Sequence, residues 1–186
     1  MNNFFIILAA GRSKRFKNKI PKQYNYYKGK MIVEHSIEKA LSSKLFNKIV
    51  LVISKSHSKF VANINRKKLI IIYGGIERKD SSLKALRYLK KYKPNNILIH
   101  DAARPNFTIK LLKELLNQLK RNVAVVPYIS SKDTVKYKVK NEFYNLNRQN
   151  TFLTQTPQAF KFKKLFELAI NEKSKITDEA TLFINK

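Results

Sequence analysis

An α/β domain with a mainly parallel sheet is what this sequence predicts, and three observations predict it. Short continuous apolar runs recur along the chain, segments of helical period separate them, and scarce glycines stand directly after the runs. Runs of β-branched and large apolar residues without alternation mark strands covered on both faces. Strand, helix and strand repeated in this way read as a doubly wound sheet with helices on both faces.

The strand candidates, in order, are "FFIIL" at 4–8, "KIVLVI" at 48–53, "KLIIIY" at 68–73, "NILIH" at 96–100 and "VAVVPY" at 123–128. Among the helical segments, "SSLKALRYLKKY" sets Leu83, Leu86 and Leu89 on one stripe, with Ser81 or Ser82 as the N-cap. "TIKLLKELLNQLK" does the same with Ile109, Leu112, Leu116 and Leu119 behind Thr108. One segment breaks the pattern. From Asp133 to Lys140 apolar and basic residues alternate strictly, "NE" offers a turn and "FYNLN" returns, which predicts a β-hairpin standing off the main sheet. An isolated hairpin is marginal in water, so this arm, at 131–150, calls for a partner such as a second copy of the chain. With no linker, repeat or low-complexity block, residues 1–186 read as a single domain.

Composition limits the function classes. The 186 residues are 44% hydrophobic, enough for a sizeable core, and contain no cysteine, which excludes disulfides and thiolate metal sites. In the first apolar run the positive charges come after the run, the reverse of a secretory signal. Every run is far below the ~18 apolar residues of a membrane span. The chain therefore reads as soluble and cytoplasmic. Its net charge of +27 invites a polyanionic partner. Lys, Asn, Ile, Phe and Tyr are abundant together, however, as AT-rich codons would make them, so each basic cluster is weighed on its own.

The loops carry the chemistry. Only Gly11, Gly29, Gly74 and Gly75 occur, and three of them follow strand candidates. In open α/β sheets ligands bind beyond the carboxyl ends of strands, where glycine permits close backbone approach. After Gly11 come Arg12, Lys14, Arg15, Lys17, Lys19 and Lys22 with no acidic residue between them. Such a cluster suits a triphosphate, gripped by backbone N–H groups and flanking cations. Neither a Walker P-loop nor a G-x-G-x-x-G fingerprint is present. Asp101, one of four aspartates, ends the strand "NILIH" and suits Mg²⁺ bridged to phosphates; capping the next turn or pairing with Arg104 is the plainer alternative. His100 reads as a packed strand-end histidine, not as a general base.

"LAAGRSKRF" with "PKQY", then "GGIERKDS", "HDAARP", "TPQAF" and "ITDEA" together resemble 2-C-methyl-D-erythritol 4-phosphate cytidylyltransferases, across essentially the whole chain. The resemblance implies a Rossmann-like nucleotidyltransferase fold, a homodimer held by interlocking hairpin arms, and transfer of CMP from CTP to the sugar-alcohol phosphate with release of pyrophosphate. It implies that Arg15 and Lys22 hold the triphosphate and stabilise the α-phosphate in the transition state. Ala9, Ala10 and Gly11 would line the nucleotide, with Gly75 and Ser81 near cytosine. Asp101 would serve Mg²⁺ and substrate beside Ala102, while Arg104 and Thr134 contact the acceptor. Arg148 and Thr156 would reach across the dimer.

Two positions depart from the family pattern: Ser13 replaces a glycine, and Ile76 replaces an acidic residue. The family also continues beyond "ITDEA" with a further strand and a lysine-bearing segment. The 186-residue chain is accordingly expected to be inactive or badly impaired, and a longer version active. Two further readings stay open: a pentitol phosphate, such as ribitol 5-phosphate, as acceptor, and a basic nucleic-acid-binding protein, for which salt-sensitive, non-specific binding is the expectation. The front half of a bifunctional enzyme is also compatible with the sequence.

Overall fold

A computed structural model describes residues 1–13, 16–64, 68–174 and 176–184. Its strands are β1 (Asn3–Ala9), β2 (Tyr26–Tyr27), β3 (Lys30–Met31), β4 (Lys48–Ile53), β5 (Leu69–Tyr73) and β6 (Asn96–Asp101), followed by β7 (Ala124–Val125), β8 (Tyr128–Ser130), β9 (Lys136–Val139), β10 (Glu142–Asn145), β11 (Phe152–Thr154) and β12 (Gln158–Lys161). The α-helices are α1 (Ile32–Ser42), α2 (Arg78–Leu89), α3 (Ile109–Gln118) and α4 (Phe162–Asn171).

The main sheet runs β5-β4-β1-β6-β12-β7. β1 pairs in parallel with both β4 and β6, and β4 in parallel with β5; β12 is antiparallel to β6 and β7. The apolar runs explain this. Phe5, Ile7 and Ala9 of β1 face a core shared with α1 and α3, while Phe4 and Ile6 face a second core with α2 and α4. Both faces of the central strand are thus buried, each large side chain contributing about 1.5–3 kcal/mol relative to exposure. After β5 the chain crosses back to the far side of β1, so the strand order reverses beside β1. In this class of sheet the crevice at the carboxyl ends of such strands is where ligands bind.

Several expectations need correction. "VAVVPY" is not one strand. Pro127 has no N–H for a ladder, so the run splits into β7 at the sheet edge and β8, which pairs with β11. β12 went unpredicted because its four residues carry only one large apolar side chain, too little for a periodicity signal. Helix α2 begins at Arg78, three residues before the first of the serines. Glu77 is its N-cap and forms a capping box with Asp80, whereas Ser81 and Ser82 lie buried inside the helix. Thr108 does cap α3, its hydroxyl accepting from Leu111 N at 3.1 Å. Near the end of the described chain a 3₁₀ helix runs Glu179–Phe183. Asp178 caps it, and Phe183 stacks on Phe160 with ring centroids 5.3 Å apart.

The predicted arm is a hairpin of β9 and β10 in which Val139 pairs with Glu142, so the loop is Lys140–Asn141, one residue earlier than the "NE" turn. Lys140 takes the left-handed conformation, φ 53°, that such a tight turn demands. Among the described residues no helix is long and apolar enough to cross a membrane.

Candidate active site

The parallel register sets Leu8 of β1 beside Asp101 of β6, which brings the "AAGRS" loop and the "HDAARP" loop together at the sheet's rim. Between them opens a cavity of about 720 Å³ whose walls include Gly11, Ser13, Lys22, Asp101, Ala102 and Arg104. A smaller lobe of about 200 Å³ continues from it, sharing Gly11 and Asp101 and lined also by Ala10, Gly75, Ile76, Arg78 and Ser81. A third, of about 570 Å³, lies beyond Arg104 and is bounded by Gln155 and Thr156.

Local chemistry builds the first loop. Gln23 is buried, and its Nε2 donates to the carbonyls of Ala9 at 2.8 Å and Gly11 at 2.7 Å. The Tyr24 hydroxyl donates to the same Ala9 carbonyl at 3.0 Å, and burial raises its pKa. Ser13 Oγ donates to Gln23 Oε1 and accepts from Lys22 N. "PKQY" is therefore the clamp that fixes the strand-end loop, leaving the exposed Lys22 side chain at the cavity wall. Ser13 stands at φ 50°, so the serine adopts the left-handed backbone that glycine takes most readily.

Gly11 and the double glycine play different parts. A Cβ at Gly11 would meet nothing within 4 Å, so its backbone faces open cavity. A Cβ at Gly75 would lie 2.2 Å from the Asp80 Cβ, and one at Gly74 would lie 2.5 Å from Ser81 Oγ. These two glycines let the start of α2 press against the strand end. Ser81 Oγ accepts from Gly75 N at 3.1 Å and donates to Glu77 O at 3.2 Å, so it stiffens that turn from within.

Asp101 is held between two arginines. Arg78 Nε lies 3.3 Å from its Oδ1 and Arg104 Nε 3.5 Å from its Oδ2. Beside it His100 is fully buried, with ring centroids 4.6 Å from Phe107 and 5.8 Å from Phe5. Burial pushes His100 down to about 3, so the ring stays neutral at ordinary pH. Its Nδ1 shares a 3.0 Å hydrogen bond with Thr156 Oγ1, which also accepts from Asp101 N at 3.4 Å.

Ala10, Gly11, Gly75, Ser81, Lys22, Asp101, Ala102 and Arg104 thus meet around one connected cleft. Ala9 lies beneath it, buried, with its carbonyl taken by Gln23 and Tyr24. Thr156 contacts His100 and Asp101 of its own chain, at the wall of the third lobe. Thr134 and Arg148 stand on the exposed arm and line none of these lobes. Arg15 and Lys14 lie outside the described residues. None of Arg12, Lys17, Lys19 and Lys22 forms an ion pair among the described residues, so these four charges are not paired there with protein carboxylates. The sequence reading missed Gln23, Tyr24, Arg78 and Glu179; the first two stood in the quoted "PKQY" but carried no assigned role.

A divalent cation can be weighed against this donor set. No group of three or more His, Cys, Asp or Glu side chains that could cage a metal exists among the described residues. A lone, partly exposed carboxylate at a cleft rim fits Mg²⁺ that draws most of its ligands from phosphates and water. Asp101 fits that mode and no all-protein site.

Residues 4–185 match the family described as IspD: 2-C-methyl-D-erythritol 4-phosphate cytidylyltransferase. The chain is 52% identical to the "Bifunctional enzyme IspD/IspF" of Pelagibacter ubique over 184 residues, 99% of this chain but 50% of that protein. It is 37% identical over 170 residues to a Caldicellulosiruptor bescii protein named 2-C-methyl-D-erythritol 4-phosphate cytidylyltransferase, covering 89% of this chain and 75% of that one. Among solved structures, the Francisella tularensis 2-C-methyl-D-erythritol 4-phosphate cytidylyltransferase superposes with a TM-score of 0.83 at 31% identity, over 98% of this chain and 85% of its own. The bifunctional IspDF of Campylobacter jejuni gives a TM-score of 0.84 at 27% identity, over 98% and 46%. The chain spans half the length of its Pelagibacter relative and three quarters of the Caldicellulosiruptor one. With the family match running from β1 to the last turn and the fold agreeing throughout, this chain belongs to the 2-C-methyl-D-erythritol 4-phosphate cytidylyltransferase family.

Proposed function

We propose that the protein carrying this chain transfers CMP from CTP to 2-C-methyl-D-erythritol 4-phosphate and releases pyrophosphate, in isoprenoid precursor synthesis. The observation that carries this reading is the connected cleft in which Gly11, Lys22, Asp101 and Arg104 converge. In it, cytosine occupies the small lobe near Gly75 and Ser81, the triphosphate crosses Gly11, and the acceptor lies toward Arg104 and Thr156. An acceptor phosphate oxygen attacks the α-phosphorus; the bond to the β-phosphate breaks, and pyrophosphate leaves with the electron pair. Lys22, with Arg15, neutralises charge gathering on the α- and β-phosphates, and preorganised cations of this kind are usually the largest catalytic contribution. Arg104 offers a guanidinium to the acceptor phosphate. Mg²⁺ held by Asp101, when bound, supplies further neutralisation of the triphosphate. The neutral His100 takes no proton; it holds the Thr156 hydroxyl in place.

A homodimer belongs to this proposal. Tyr128, Ile129, Phe143, Phe152 and Leu153 are all 46–67% exposed on the arm and the β8–β11 ladder, an apolar surface that a second copy would cover. Thr134 and Arg148 of that copy would then complete the acceptor site. The phosphorylated substrates carry a cytoplasmic location with them. The test is pyrophosphate release across four nucleoside triphosphates and a panel of sugar-alcohol phosphates. CTP with methylerythritol phosphate is expected to lead. Preference for ribitol phosphate would displace the acceptor, and tight, sequence-selective nucleic-acid binding without turnover would displace the enzyme reading.

A further inference from the structure

Arg78 stands at the hub of the cleft's rim. Its Nη1 donates to both oxygens of Glu179, at 2.9 and 2.7 Å, and its Nε donates to Asp101 Oδ1 at 3.3 Å. Glu179 is only 1% exposed and lies 101 residues further along the chain. Burial would lower the Arg78 pKa, but the carboxylates of Glu179 and Asp101 raise it, so the guanidinium stays charged. The arrangement is uneven: the short contacts go to Glu179, and Asp101 receives one long contact here and another, 3.5 Å, from Arg104. A guanidinium free of Glu179 would close on a carboxylate bidentately and occupy both its oxygens. With Glu179 taking the strong end, Asp101 is oriented without being spent.

We infer that Arg78 is a positioning residue for the proposed reaction and Glu179 its counter-charge: together they hold Asp101 toward the cleft and keep it available to a divalent cation on the nucleotide's phosphates. The pair also ties the last turn of the described chain to the start of α2, so the "ITDEA" segment serves the site through Arg78. This inference rests on the nucleotide reading above.

Mn²⁺ affinity in the CTP complex, followed by electron paramagnetic resonance, tests it, alongside metal-free CTP affinity by calorimetry in EDTA and a thermal melt. In Arg78→Met/Glu179→Met the buried carboxylate and its half-buried partner become apolar together, which leaves neither as an orphaned charge. Melting is expected within a few degrees of the parent, metal-free CTP affinity within about threefold, and Mn²⁺ affinity lower by about 10- to 100-fold, the usual loss when a group orienting a ligand is removed. Glu179→Gln keeps the guanidinium but frees it to close on Asp101, and is expected to weaken Mn²⁺ in the same direction. Mn²⁺ affinity unchanged in either variant overturns the inference, as does an equal loss of metal-free CTP affinity, which would make Arg78 a direct nucleotide contact. A parent that binds no CTP overturns the nucleotide reading and this inference with it. A parent that binds while both variants match it overturns this inference alone.

Discussion

The rim cleft and the hairpin arm are built on opposite principles. At the rim, side chains are fixed by partners from other parts of the chain: Gln23 on the Ala9 and Gly11 carbonyls, Arg78 on Asp101, Thr156 on His100. On the arm, Tyr137 stacks on Tyr144 at 5.3 Å, Lys138 lies over Phe143 at 5.5 Å and Tyr144 bonds Glu142, all contacts within one hairpin. The rim is preorganised by the fold around it. The arm is ordered locally, and its large exposed side chains await a surface. On the proposed reading, geometry that must be accurate before substrate arrives sits on the crossing strands, while geometry that a second copy would supply sits on the projection.

The largest effect that sharpens this contrast falls on turnover. Asp101→Asn keeps the shape of the rim but removes the charge between two arginines. Pyrophosphate release should drop by about 10²–10³-fold, with a melting temperature close to the parent's. A drop below about tenfold would mean that Asp101 only caps its turn.

Stability separates the regions next. Leu98→Ala empties a site at the centre of β6 and should cost about 2–5 kcal/mol in denaturant unfolding. Tyr137→Ala on the arm should cost under about 1 kcal/mol in dilute monomer, where Tyr144 is the ring stacked on it. In sedimentation at high concentration the same arm variant should shift the balance toward monomer. Equal costs for the two substitutions would erase the distinction.

The smallest effect concerns the tie between the last turn and the sheet. Burial works against ionisation of Asp178, but hydrogen bonds from Gln158 and Thr181, with the Arg78 cation nearby, hold its pKa below the ordinary value. A depressed carboxylate adds stability above its unfolded pKa, near pH 4, and that stability is lost as pH falls through the lower folded value. The melting-temperature gap between parent and Asp178→Asn should therefore be constant above about pH 5 and close on acidification. A gap that widens on acidification would contradict that sign.

Much of this molecule was legible before any coordinates. Continuous apolar runs announced β1, β4, β5 and β6 because burial on both faces leaves no polar positions to blur the pattern. Alternation announced the arm because one face of β9 carries the lysines. A glycine and a carboxylate at two strand ends pointed to the rim, since parallel pairing brings such ends together. What stayed hidden depends on distant proximity. Nothing within "GGIERKDS" says that Arg78 meets Glu179, and nothing in "PKQY" says that Gln23 turns back onto Ala9. Proline in "VAVVPY" was readable as a ladder break but was outweighed by the apolar run around it. The capping box of Glu77 and Asp80 was also present in the sequence, overshadowed by the serines that follow it.

The central claim is that the rim, and no other basic surface of this highly charged chain, grips the triphosphate. Calorimetric titration of CTP with Mg²⁺ into the parent, Lys22→Met and Lys138→Met tests it most directly, because both variants lose one positive charge, one at the rim and one on the arm. The expected result is a loss of about tenfold or more for Lys22→Met, the scale of one charge-assisted hydrogen bond, and a change within about twofold for Lys138→Met. Equal losses in the two variants would show attraction to net charge alone and contradict the account.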